Sequence, residues 1–143
     1  MASTTAVRVA LVGIGGHGQV YVDELLDRPR DTDFTIVGGI DPAPEGCSRL
    51  TELRESGVPL FDSLEAFYDS GGEADLVMIV SPIHFHRSQT ELALANGASV
   101  LCEKPLCATI QDAHSMLAAE EAAAALTGGG PPGSRSRALG IGE

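Results

Sequence analysis

The sequence predicts an α/β protein with a doubly wound parallel sheet, arranged in three layers as α/β/α. Three observations carry that prediction. Strand and helix patterns alternate from residue 7 to about residue 125. The strand candidates are short, unbroken apolar runs, as expected of strands covered on both faces. The residues able to do chemistry each fall immediately after a strand, at the edge where open parallel sheets bind ligands.

Val7–Val12 is rich in β-branched residues and ends at Gly13, which makes it the first strand. Val22, Leu25 and Leu26 then recur at helical spacing until Pro29 stops the pattern. Phe34–Ile40 is a second strand, turned by Asp41 and Pro42. Residues 45–56 are polar with Leu50 and Leu53 three apart, predicting a surface helix closed by Gly57. A short third strand falls at 58–61. The helix after it, around Leu64, Phe67 and Tyr68, has Asp62 and Glu65 at capping-box spacing.

Residues 76–80 are the clearest strand, and 85–95 a helix stopped by Asn96 and Gly97. Ser99–Cys102 is a fifth strand, after which Thr109 and Asp112 can cap a last helix. Its apolar stripe is Ile110, Ala113, Met116 and Leu117. Residues 1–125 therefore read as one domain. Residues 126–143, with GGGPPGSRSR, read as a flexible tail unable to bury enough apolar surface to order itself. The glycines of 138–141 argue against a strand there.

Bulk properties narrow the partners. At 143 residues and 43% hydrophobic, the chain can bury one core. Nine basic against 20 acidic side chains leave a formal charge of -11, a field that repels a nucleic-acid backbone. It does not repel a dinucleotide, because backbone N–H groups can bind pyrophosphate without net positive charge. No run approaches the roughly 20 apolar residues that span a bilayer. Cys47, Cys102 and Cys107 form no CxxC pair, so they read as free thiols in a reducing cytoplasm.

Gly13, Gly15 and Gly18 make GxGxxG between the first strand and the first helix. Gly13 permits the tight turn, Gly15 close approach of a pyrophosphate, and Gly18 packing of the helix on the sheet. The loop Gly13, Ile14, Gly15, Gly16, His17 and Gly18 is the candidate phosphate site of a Rossmann-type fold. Asp41, about 20 residues on, can accept the adenine-ribose hydroxyls, favouring NAD over NADP; it can equally make an Asp-Pro turn. Glu103, Lys104 and Pro105 follow the fifth strand, where Lys104 could hydrogen-bond a substrate hydroxyl and lower its pKa; an ordinary surface Glu–Lys pair is the alternative. His84 and His86 follow Ser81 and Pro82 after the fourth strand. They lack a third ligand, so no metal is expected; a place near the cofactor or at the next helix cap is. His17 and His114 read by default as helix-surface residues.

Together VALVGIGGHG, GGIDP, SPIHFH and LCEKPLC resemble the glucose–fructose oxidoreductase/inositol dehydrogenase/MocA family over residues 6 to about 121. The EKP element is the most specific of them. The resemblance implies a nicotinamide-dinucleotide domain followed by a substrate-holding α/β domain. It implies that Lys104 lies beside the nicotinamide and assists proton movement. Ser81, Pro82 and His86 would line the cofactor cleft and Glu103 border it. Substrates would be sugars, polyols or related hydroxy compounds, oxidised or reduced by hydride transfer. Ile83 stands where the family commonly has asparagine.

The chain ends where the family's second domain would begin, so the expectation is a truncated product, weakly active or inactive alone. Two other readings compete with it: a non-catalytic NAD-binding sensor or partner subunit, and an unstable fragment with an exposed sheet edge.

Overall fold

The computed structural model describes residues 5–28, 33–126 and 140–141. In chain order the elements are β1 (Val7–Val12), α1 (Gly18–Asp27), β2 (Phe34–Ile40), α2 (Leu50–Glu55), β3 (Leu60–Phe61) and α3 (Leu64–Asp69). There follow β4 (Leu76–Ile79), α4 (His86–Ala95), β5 (Ser99–Cys102), α5 (Ile110–Leu126) and β6 (Gly140–Ile141). The strands form one sheet in the order β3-β2-β1-β4-β5-β6, and every pair is parallel. This is the doubly wound topology, with its crossover between β1 and β4.

Strand alternation divides the core. Val9 and Leu11 of β1, with Met78 of β4, pack under Val22 of α1 and Leu53 of α2. Ala10 and Val12, with Val77, Ile79 and Val100, meet Leu64 and Phe67 of α3, Ala93 and Leu94 of α4 and Ala123 of α5. Both faces are therefore covered, which is why the strands read as unbroken apolar runs. Arg28 is extended after α1, as the residue before a proline is disposed to be; Pro29 itself lies outside the described residues.

Several boundaries differ from the sequence reading. The helix expected over 45–56 is a 3-10 turn, Pro44–Gly46, followed by the shorter α2. Ser63, not Asp62, caps α3, its hydroxyl accepting from Ala66 N at 3.1 Å. Extended backbone at Ser63 puts its oxygen three residues before that amide, one position later than the expected box. Thr109 does cap α5, accepting from Asp112 N at 3.1 Å.

The stripe on α5 is rotated from the expected one. Met116 is fully buried and Ala119 and Ala123 join the core, whereas Ile110 and Leu117 are 69% and 49% exposed. Small alanines let the helix pack closely on α4, so they rather than the larger residues define the packed face. β6 also pairs with β5, Leu101 opposite Gly140 and Cys102 opposite Ile141. The glycines do not prevent this, because the ladder is made by backbone groups on an edge that β5 offers. Residues 127–139, the body of the expected flexible tail, lie outside the described residues.

Candidate functional site

The carboxyl ends of β1, β4 and β5 lie side by side at the crossover, and each continues into one of the motif loops. After β1 the chain turns through Gly13, whose φ is +87°. A Cβ there would lie 2.9 Å from Ser81 N and from the Val80 carbonyl. The glycine loop thus abuts the loop after β4. Gly18 is tighter still: its Cβ would stand 1.9 Å from the Gly13 carbonyl oxygen. The close packing expected of this glycine is therefore made against the turn itself. A Cβ at Gly15 would meet Gly46 backbone at 3.3 Å, so the turn before α2 closes over the loop. That turn is fastened to α1: Ser48 N donates to Gln19 Oε1 at 2.8 Å, and Arg49 bridges Asp27 at 2.8 Å.

The loop amides divide into two groups. Ile14 N and Gly15 N donate to Asp41 Oδ2 at 3.0 and 3.2 Å, while Asp41 Oδ1 accepts from Ala43 N at 2.8 Å. The turn role of Asp41 is present, and the same carboxylate braces the glycine loop. Ile14's side chain is core. Gly18 N, Gln19 N and Val20 N bond back to Gly15, Gly16 and His17 carbonyls. The amides of Gly16 and His17 have no partner among the described residues. A Cβ at Gly16 would meet nothing within 4 Å. Two unclaimed N–H donors beside open space at the head of a helix fit a dinucleotide pyrophosphate.

Beyond β5, Glu103 is only 8% exposed and is no surface partner of Lys104. Its Oε2 accepts the Tyr21 hydroxyl from α1, and its Oε1 accepts Lys104 N at 3.0 Å. His17 Nε2 lies 3.6 Å from the same Oε2. The Tyr21 hydrogen bond, followed by burial in the opposite sense, holds the Glu103 carboxyl below its ordinary range. That bond pushes the Tyr21 phenol up to about 12. Lys104 is exposed, and it is the single lysine of the chain.

His86 is 2% exposed, and both ring nitrogens face carbonyl acceptors: Nε2 Ser81 O at 2.7 Å, Nδ1 Pro105 O at 3.0 Å. Which carbonyl takes the ring N–H depends on the tautomer, and the ring lies wedged between the β4 and β5 loops. Ser81 turns its hydroxyl to Gln89 Oε1, and Pro82 opens the 3-10 turn Ile83–Phe85 ahead of α4. His84 is exposed on that turn and stacks obliquely on Phe85. His114 is exposed on α5. Among the described residues no cluster of three or more His, Cys, Asp or Glu could hold a metal, and no helix is long and apolar enough to cross a membrane.

Sequence reasoning missed Tyr21, Gln89 and the Gly46 turn. Tyr21 sits three residues past Gly18 on a helix with apolar neighbours, where it reads as ordinary packing. No local pattern marks Gln89.

Fold and site together define a nicotinamide-dinucleotide-binding domain of the Rossmann type. Residues 7–128 match the family described as "Oxidoreductase family, NAD-binding Rossmann fold", whose members include glucose–fructose oxidoreductase, inositol dehydrogenase and MocA, and the chain belongs to that family. It is 31% identical over 124 residues to a putative UDP-kanosamine synthase oxidoreductase subunit of Amycolatopsis mediterranei, covering 87% of this chain and 33% of that protein. It is 32% identical to an inositol 2-dehydrogenase of Rhodococcus erythropolis, covering 88% and 34%. Among solved structures, a dehydrogenase from Chromobacterium violaceum superposes with a TM-score of 0.72 at 28% identity, covering 84% of this chain and 34% of that one. A scyllo-inositol dehydrogenase of Lactobacillus casei, solved with NAD(H) and scyllo-inositol, shares the fold with a TM-score of 0.72 at 23% identity, covering 85% and 34%. The chain thus spans about a third of the length of the relatives it matches.

Proposed function

We propose that the chain is the NAD-binding part of an oxidoreductase acting by hydride transfer on a sugar, polyol or similar hydroxy compound. The observation that carries this reading is the hydrogen-bonded link, through Tyr21, between the helix that opens at the glycine loop and the Glu103–Lys104 loop at the carboxyl edge of the sheet. The Gly16 and His17 amides and the N-terminus of α1 would hold the pyrophosphate. Nicotinamide bound there would supply the hydride chemistry. Lys104 then hydrogen-bonds the reacting hydroxyl and stabilises negative charge on its oxygen. Ser81, Pro82, His86 and Glu103 form and brace the surrounding wall.

Asp41 favours NAD over NADP. Three of the roughly four acceptor positions of its carboxylate already serve Ile14, Gly15 and Ala43. One remains for a ribose hydroxyl, and its negative charge opposes an extra phosphate. Three thiols outside any disulfide suit a reducing cytoplasm.

The test follows NADH formation over a panel of inositols and sugars, with NAD and NADP binding measured on the same chain and on Asp41→Ala. NAD binding with trace turnover that Lys104→Ala abolishes supports the whole reading. NAD binding with no turnover under any condition favours a non-catalytic binding module. Preference for NADP in the parent chain overturns the role given to Asp41.

A further inference from the structure

The buried carboxylate of Glu103 joins two parts of the site that the sequence keeps far apart. One oxygen takes the hydroxyl of Tyr21, on the helix whose head carries the glycine loop. The other takes the backbone N–H of Lys104. Glu103 is itself fixed at the end of β5, its own N–H donating to the Ile79 carbonyl at 2.8 Å. Its side chain is only 9% exposed, so water cannot readily replace a lost donor. His17, the other candidate, stands 3.6 Å away and is 66% exposed, beyond hydrogen-bond range and free to face solvent. Tyr21 is thus the donor that keeps this carboxylate oriented, and the orientation of the carboxylate decides where the Lys104 amide is held.

We infer that Tyr21 is a positioning residue for Lys104, acting through Glu103 to couple the glycine-loop helix to the lysine loop. This rests on the cofactor reading above. Movement of α1 as its head receives a pyrophosphate is passed to the lysine by two hydrogen bonds rather than through packed side chains. Phe at position 21 keeps the ring and its packing but removes the donor. Glu103 Oε2 is then left unsatisfied in a buried place, and its side chain is free to turn away from the Lys104 amide.

Because the chain has one lysine, reductive methylation with a carbon-13 label gives one side-chain resonance besides the terminal amine. Two readouts are taken on the parent, Tyr21→Phe, Glu103→Gln and the exposed-site control Val20→Ala. The first, needing no cofactor, is hydrogen exchange at the Lys104 amide. Tyr21→Phe is expected to speed it about tenfold, the ordinary effect of losing one supported hydrogen bond, and Val20→Ala to leave it unchanged. The second is the displacement of the Lys104 methyl signal on adding NAD. Tyr21→Phe should lose more than half of it while NAD affinity stays within about threefold of the parent, and Glu103→Gln, whose amide can still accept from Lys104 N and donate to Tyr21, should keep it.

Unchanged amide exchange, or a full methyl displacement, in Tyr21→Phe overturns the inference. A folded parent chain that binds no NAD overturns the cofactor reading instead. The exchange arm then decides the Tyr21 link by itself, faster exchange in Tyr21→Phe supporting it and unchanged exchange refuting it.

Discussion

Replacing Gly18 by alanine tests the geometry of the glycine loop at its tightest point. The added Cβ would stand 1.9 Å from the Gly13 carbonyl oxygen and 2.7 Å from its carbon. An ordinary carbon–oxygen contact is about 3.3 Å, so helix and turn must part by about 1.4 Å. Neither side is a flexible chain end. One is the first turn of α1, and the other is a residue with φ of +87° held by its N–H to the Ile40 carbonyl at 2.8 Å.

Overpacking of this kind costs about 3 kcal/mol at the upper end. Alanine's better helix propensity returns at most about 1 kcal/mol. The net loss of about 2 kcal/mol lowers the melting temperature by roughly 8 °C for a chain of this size. Gly16→Ala is the matched control. Gly16 also has a positive φ, +54°, but its Cβ would meet nothing within 4 Å. Backbone strain at a positive φ, about 1 kcal/mol, is then the whole cost, so this variant is destabilised about half as much as Gly18→Ala. Urea unfolding followed by helical circular dichroism gives both numbers, and calorimetry gives NAD affinity alongside. Equal stability of the two variants, or unimpaired NAD binding by Gly18→Ala, would refute the packing argument.

Two further outcomes are expected. Asp75 is held down to about 2 by its hydrogen bonds from Arg8, against an ordinary 3.8. A carboxylate depressed in the folded state contributes stability above its unfolded value, and loses it as pH falls through the folded one. The parent should therefore lose more stability than Asp75→Asn between about pH 4 and pH 2. Both side chains are more than a third exposed, so the difference is at most about 1 kcal/mol; equal acid sensitivity in urea titrations contradicts the pairing. As to the thiols, burial pushes Cys102 up to about 12 and Cys47 is also buried, whereas Cys107 is half-buried. Maleimide labelling followed by peptide mapping should find Cys107 modified at least about tenfold faster than either; first labelling at Cys102 would mean that the β5 end opens readily.

What the sequence reveals depends on how local the cause is. β1 and β2 have the ends expected of them, because β-branched runs closed by glycine or an Asp-Pro turn leave few alternatives. The stop at Asn96 and Gly97 is equally local, Gly97 having φ +85°. Where two local signals compete, boundaries shift: Pro44 makes a 3-10 turn before α2 can begin, and Ser63 wins the cap from Asp62.

Long-range causes are hidden. Tyr21 and Glu103 are 82 positions apart, so their hydrogen bond has no trace in either neighbourhood. Nor can spacing alone distinguish Glu103 as a buried acceptor from half of a surface ion pair. The bracing of the glycine loop by Asp41 sits between these cases. Both its turn and its loop roles follow from a short polar side chain after β2, and only the fold reveals that it plays them together. The α5 face was hidden for a different reason: its packed side is made of alanines, and a hydrophobic stripe points to the larger residues.

The central claim is that these residues form a dinucleotide site. Its most direct test is calorimetric titration of the folded chain with NAD, beside Gly15→Val. A Cβ at Gly15 would already stand 3.3 Å from Gly46 backbone, so valine's branches must push the turn before α2 off the loop. Micromolar binding by the parent, about -8 kcal/mol, is expected, with a loss of at least about tenfold in Gly15→Val. A cooperatively folded parent that takes up no NAD, or Gly15→Val binding as tightly as the parent, would contradict it.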